Sequence, residues 1–177
     1  MNYQQKFANV KRIYHDRRTG LTSHERQTRQ QTCFDSTAEY LCYSLISKYF
    51  KSPMFDIDVH NKLSLGEVNW SIDFQVTARR CHPMANAILA ELVNTIHDTN
   101  HASLAQIFIE YKGFQDKNFL TKMENLVTTT PTFAKTIILV SDHNTAFGCW
   151  DYRRNRFYTH PIISTHVLQS TLTNIIN

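Results

Sequence analysis

Residues 70 to 77 alternate without exception: Trp70, Ile72, Phe74 and Val76 interleave with Ser71, Asp73, Gln75 and Thr77. A period of two belongs to a strand, whose successive side chains point to opposite faces. Any fold of this chain must therefore set an apolar strand face against a core, with Asp73 and Gln75 on the polar face. A second strand follows at Gln106-Ile107-Phe108-Ile109-Glu110-Tyr111-Lys112, ended by Gly113. Phe108, Glu110 and Lys112 share one side, and the apolar side of Ile107, Ile109 and Tyr111 seats the strand. A carboxylate and an ammonium are thereby expected together at the sheet's rim.

Helical periods separate the strands. Ala38, Leu41, Cys42, Leu45, Ile46 and Tyr49 form one stripe of a helix beginning near Asp35. Pro53 breaks it, and Phe55, Ile57 and Val59 alternate with Asp56, Asp58 and His60 as a half-buried strand. Pro83 opens a helix that closes at His97 to Ser103. Asp116 to about Val127 reads as a helix and Thr136 to Ser141 as a buried strand. Phe147 to Tyr152 with Arg156 to Thr159 reads as a hairpin, and Ser164 to Ile176 as a last helix. This order predicts an α/β fold, a mixed sheet flanked by helices, with the Pro83 helix inserted between the second and third core strands.

A chain of 177 residues, 42% hydrophobic, is long enough for one compact domain and short for two. Residues 35–177 are expected to form it. Residues 1–34, which lack a sustained apolar period, read as a basic arm with one short helix near Ser23 to Gln31. The net charge of +4 is concentrated there. Lys6, Lys11, Arg12, Arg17, Arg18, Arg26 and Arg29 face only Asp16 and Glu25 within residues 1–32, leaving the remainder near neutral. That distribution suits approach to a phosphate backbone, although solvated tails carry it as well.

No apolar run reaches the roughly 20 residues of a membrane span, and the polar start is unlike a signal peptide, so a soluble, cytoplasmic protein is expected. Cys33, Cys42, Cys81 and Cys149 form no CxxC pair, and the nine histidines show no H-x-x-x-H or H-E-x-x-H spacing. Structural thiols are expected, and a histidine zinc site is not.

Phosphodiester hydrolysis needs an activated water, a cation to neutralise developing charge, and a group that orients or accepts a proton. Asp73 and Glu110 offer the hard oxygens that Mg2+ prefers. Lys112, two residues beyond Glu110, is placed to orient the water, lower its pKa and meet the charge of the pentavalent phosphate.

Ser36-Thr37-Ala38-Glu39, then Ile72-Asp73-Phe74-Gln75-Val76, then Ile109-Glu110-Tyr111-Lys112-Gly113-Phe114 resembles, in order and context, the PD-(D/E)XK nuclease superfamily. The likeness spans roughly Asp35 to Asp142. Phe34-Asp35-Ser36 ahead of Glu39, and Gly113-Phe114 before a lysine-bearing helix, look like its phage-type, Holliday-junction-resolvase-like or transposon-end branches. The resemblance implies a restriction-endonuclease-like fold and a metal site of Asp73, Glu110 and the backbone carbonyl of Tyr111, with Mg2+ bound and Mn2+ able to substitute. Lys112 is implied as catalytic. Two departures stand out: Ile72 replaces the motif's proline, and 36 residues separate Asp73 from Glu110 where a short hairpin is usual.

Several positions keep two readings. Glu39 is a catalytic acid and further metal ligand, or closes a Ser36-x-x-Glu39 capping box. Gln75 positions water or phosphate, or is a surface amide. Lys117 and Lys122 grip phosphate, or lie on a solvated helix face. Arg12, Arg17, Arg18, Arg26 and Arg29 are candidate nucleic-acid contacts, as is the cluster of Arg153, Arg154 and Arg156. The expected activity is a Mg2+-dependent endodeoxyribonuclease working as a homodimer. Selectivity for branched DNA competes with a restriction-type or transposon-end nuclease, action on RNA stays open, and a silent DNA-binding protein is the alternative outside enzymes.

Overall fold

In the computed structural model, which describes residues 11–65, 68–80, 82–113, 116–143, 146–151 and 154–176, the alternating runs pair as strands of one sheet. Lys6, Cys81, Phe114, Tyr152 and Arg153 lie outside the described residues. The chain divides into two compact units, Met1–Leu45 and Ile46–Asn177.

Three short strands, β1 (Ile13–His15), β2 (Thr22–Ser23) and β3 (Thr32–Phe34), build an antiparallel sheet of order β2-β1-β3 in the first unit. Asp16 makes its tight turn: Oδ1 accepts the N–H of Arg18 at 2.8 Å, and Gly20 takes the left-handed φ of +73° that closes it. Phe34 packs on Tyr40 and Tyr43, with ring centroids 5.4 and 5.0 Å apart. The expected helix at Ser23 to Gln31 does not form. That segment has no apolar face to bury, and its backbone is satisfied locally, Gln31 Oε1 accepting the N–H groups of Gln27 and Thr28 and Arg26 donating to the carbonyls of Thr28 and Arg29.

Helix α1 (Thr37–Tyr49) contains the division between the units. Its start is capped: the Glu39 N–H donates to Ser36 Oγ at 3.1 Å, and Glu39 Oε2 accepts the N–H of Asp35 at 3.0 Å. Leu41, counted in the apolar stripe, is exposed; the buried line instead runs through Cys42, Tyr43 and Ile46.

The second unit is a mixed six-stranded sheet of order β4-β5-β6-β7-β9-β8. Its strands are β4 (Phe55–Leu65), β5 (Val68–Ala78), β6 (Gln106–Tyr111), β7 (Ile137–Val140), β8 (Ala146–Asp151) and β9 (Arg156–Ile163). β4, β5 and β6 pair antiparallel, β6 with β7 and β7 with β9 parallel, and β8 returns antiparallel to β9. Helix α2 (Pro83–His97) connects β5 to β6, α3 (Lys117–Thr129) and α4 (Pro131–Ala134) connect β6 to β7, and α5 (Thr165–Ile176) follows β9. No described helix is long and apolar enough to cross a membrane.

On one face of this sheet, Phe119, Met123, Leu126 and Val127 of α3 pack with Trp70, Ile72, Phe108, Ile137 and Leu139. Ile107 and Ile109, on the other side of β6, are also fully buried, as are Leu89, Leu92 and Val93 of α2. A strand covered on both sides reads as continuously apolar, and β6 is buried from Ile107 to Tyr111. The only charged side chain within that stretch is Glu110.

Two imidazoles meet under the sheet's end. His97 Nε2 and His160 Nε2 both donate to the carbonyl of Ile137, at 3.1 and 2.9 Å, with ring centroids 4.8 Å apart. Burial lowers the pKa of His97 to about 4 and of His160 to about 3. Both rings are therefore neutral in the fold but take protons in the unfolded chain below about pH 6.5. Their contribution to stability is fully present above that pH and should be lost as pH falls toward 4 and 3. Denaturant unfolding between pH 7 and 4 should show this decline, and His160→Gln should flatten its slope; an equal slope in the variant would contradict the assignment.

Candidate active site

The β5–β6 ladder runs from Thr77↔Gln106 to Phe74↔Ile109 and stops there. Beyond it, two carboxylates take the positions of carbonyls. The Asp73 N–H donates to Glu110 Oε2 at 3.0 Å, and the Tyr111 N–H donates to Asp73 Oδ2 at 2.8 Å. The strands are thus held together across the gap by the acids that the sequence singled out. The intervening 36 residues, α2 included, do not separate these acids in space.

Opposite Asp73, between the pairs Val59↔Phe74 and Asn61↔Ile72, stands His60, a non-glycine residue at φ +56° inside a strand. A left-handed residue costs roughly 1–2 kcal/mol and turns the strand over. Phe74, paired with Ile109, faces away from Phe108, whereas Ile72 packs with Phe108. The alternation of 70–77 is therefore broken at Asp73, although the sequence alternates straight through it. The reversal brings Trp70 onto the face of Glu110. A ring nitrogen of His60 and a carboxylate oxygen of Asp73 lie within 4.8 Å of each other.

Glu110 is not at an exposed rim but fully buried. Besides the Asp73 amide, its carboxylate accepts the Trp70 indole N–H at 3.3 Å and pairs with Lys112 Nζ at 2.6 Å. Burial pushes its pKa up, against the opposing pull of Lys112, the Asp73 amide and the indole. Lys112 follows the strand, its backbone N–H donating to Val140 O at 2.8 Å, and its ammonium lies 5.3 Å from the Phe119 ring centroid. Burial works against the lysine's charge, but Glu110, Asp73 and Asp116 outweigh it and raise its pKa. Lys112 is held as a cation. This arrangement supplies positive charge to an anion and is not that of a free base.

Asp116 caps α3, Oδ1 accepting the Phe119 N–H at 2.7 Å, which anchors the helical turn that carries the Phe119 ring. Lys117 is exposed at the first turn of α3 and Lys122 half-buried. The Gln75 amide is engaged: Asn61 Nδ2 donates to its oxygen, and its nitrogen donates to Thr77 Oγ1 and Gln106 Oε1. Glu39 belongs to the other unit and carries the capping bond described above. In that unit Arg12 pairs with Asp35 at 3.5 Å, Arg17 lies 5.7 Å from the Tyr43 ring centroid, Arg26 is spent on carbonyls, and Arg18 and Arg29 are exposed. Arg154 donates to Thr128 O, and Arg156 lies over Tyr158.

The structure thus brings Asp73, Glu110 and Lys112 together and adds His60, which sequence spacing missed. Histidine motifs such as H-x-x-x-H detect ligands on one helix, whereas His60 and Asp73 are neighbours across a hairpin. Compared with protein-family models, curated proteins and solved structures, the chain finds no match.

The buried pair sets a stability test. Lys112→Met leaves Glu110 buried without its cation and should cost about 3 kcal/mol. Adding Glu110→Gln should recover a large part of that loss. Urea unfolding of both single variants and the double variant measures the coupling, and strictly additive losses would contradict a tight pair.

Proposed function

We propose that the second unit is a divalent-metal-dependent nuclease of the PD-(D/E)XK kind, on a restriction-endonuclease-like sheet, hydrolysing DNA phosphodiester bonds. The observation that supports this most is the meeting of Asp73, Glu110 and Lys112 across the β5–β6 gap. Two carboxylates fit a hard divalent cation, and an imidazole beside Asp73 suits Mn2+ as well as Mg2+. Asp73 and Glu110, with the Tyr111 carbonyl and His60 as further donors, would hold the cation, which supplies charge neutralisation and an acidified water.

Lys112 then acts as a fixed positive charge. Its ammonium, held against Glu110 and Phe119, is placed to meet a non-bridging phosphate oxygen and to stabilise the extra charge of the pentavalent state. Trp70 and the Asp73 amide hold Glu110 in one orientation, so that the acid is positioned before substrate arrives. Water attacks in line and no covalent enzyme intermediate forms. Cutting both strands most simply uses two such sites, in a homodimer acting on DNA inside the cell, and the exposed Arg18 and Arg29 suit contact with phosphate and recognition of shape, which favours branched DNA over a restriction-type target.

Asp73→Ala and Lys112→Ala should each lower cleavage about a thousandfold with Mg2+ or Mn2+ while circular dichroism stays native. Parallel digests of branched, nicked and plain duplexes report selectivity. Wild-type rates in both variants would end the assignment. His60→Gly should melt at the same temperature or higher, because glycine adopts φ +56° without penalty, yet lose stabilisation by Mn2+; an unchanged Mn2+ shift would remove His60 from the site.

Full burial of Glu110 under Lys112 favours one second reading, a DNA-binding protein on the same fold without activity. A melting temperature that millimolar Mg2+ and Mn2+ both leave unmoved would favour it.

A further inference from the structure

A cavity of about 710 Å³ opens beside the end of α2, between the 96–101 segment, the start of α4 and strand β9. It is large enough for a small organic ligand. Lys135 and Arg156 stand in its wall, and neither forms an ion pair with a described residue. Asp98 is the one acid among the described residues that line it. The cavity therefore carries a cationic excess that no described acid pairs.

Its aromatic rim is equally distinctive. Phe157 is 55% exposed, and its ring lies against Gly148, where a Cβ would meet it at 2.7 Å. Glycine at that position lets the ring lie close on the strand with a face toward solvent. Arg156 stacks over the neighbouring Tyr158, 5.2 Å from its centroid. The exposed Phe157 ring is the surface that base stacking requires, and Arg156, which alternates with it along β9, lines the same cavity.

The opposite wall is pre-formed. Asn94 Oδ1 accepts the Thr99 hydroxyl at 2.9 Å and the His101 N–H at 2.7 Å, while its Nδ2 donates to the His101 carbonyl at 2.9 Å. This clamp fixes the backbone of His101, a residue that lines the cavity. Its Nε2 is buried with no hydrogen-bond partner among the described residues, the condition a polar ligand group or water relieves.

We propose that this cavity receives an unpaired DNA nucleotide, its phosphate between Lys135 and Arg156 and its base stacked on Phe157. The assignment rests on the nuclease reading for the kind of substrate, though not for the site. It gives that reading a physical basis for branch selectivity, since single-stranded arms and junction points offer unstacked bases and a plain duplex does not.

The test is fluorescence anisotropy of the full chain in EDTA, so that cleavage plays no part, with a labelled thymidine hexanucleotide and with a blunt duplex of equal charge. Wild type should bind the hexanucleotide more tightly. Lys135→Ala with Arg156→Ala should weaken it about tenfold or more, and Phe157→Ala about fivefold or more. All three residues are exposed, so the fold should survive their loss. Lys51→Ala, an exposed lysine that does not line the cavity, should bind as wild type does, and because EDTA removes cleavage, a failure of the cleavage chemistry leaves this result standing, and the reverse. Absence of hexanucleotide binding by wild type, wild-type affinity in the substituted chains, or an equal drop for the duplex would each overturn the proposal.

Discussion

Everything at the candidate site depends on the exchange of hydrogen bonds by which Asp73 and Glu110 replace the missing rungs between β5 and β6. A sheet that simply ended there would leave the Asp73 and Tyr111 amides without strand partners, and buried amides demand acceptors. Carboxylates fill that role, which ties the acids' positions to the continuity of the sheet. Lys112 completes the arrangement by neutralising Glu110 in a core where an unpaired carboxylate would be very costly. One set of contacts thus joins the strands, satisfies the backbone and concentrates charge.

The gap has its own cause in the β4–β5 hairpin. His60 at a left-handed φ reverses the sides of β4 and β5 while keeping residues in one-to-one register, so Trp70 and Ile72 join the α3 face and Phe74 the opposite one. Without the reversal, the indole of Trp70 would not face Glu110. A strained residue next to two acids and a lysine is the kind of local conflict found where folding and chemistry compete.

Much of this was legible in the residues. Strict alternation at 70–77 and 106–112, the proline-opened helix at 83, and Asp116 ahead of a helical period all marked elements that form where expected. The acids and the lysine were legible because strand periodicity assigns faces. The reversal at Asp73 was not, because it lies in one backbone angle of a residue that is not glycine. The small sheet over residues 13–34 was hidden for another reason: strands of two or three residues are too short to show a period. Burial of Glu110 escaped because it follows from α3 covering the face of β6 that the sequence left polar, and Leu41 was misplaced because aromatic Tyr43 takes the buried line of α1. His60 carried no signal beyond standing where the alternation of 55–60 ends.

The central claim is that Asp73 and Glu110 are ligands to one cation, with Lys112 as the adjacent charge. Crystals grown with Mn2+ and measured for anomalous scattering address it directly. The expected result is a peak about 2.2 Å from an oxygen of each carboxylate, with the Lys112 ammonium beside it. A map with no peak between these acids at saturating Mn2+ would contradict it.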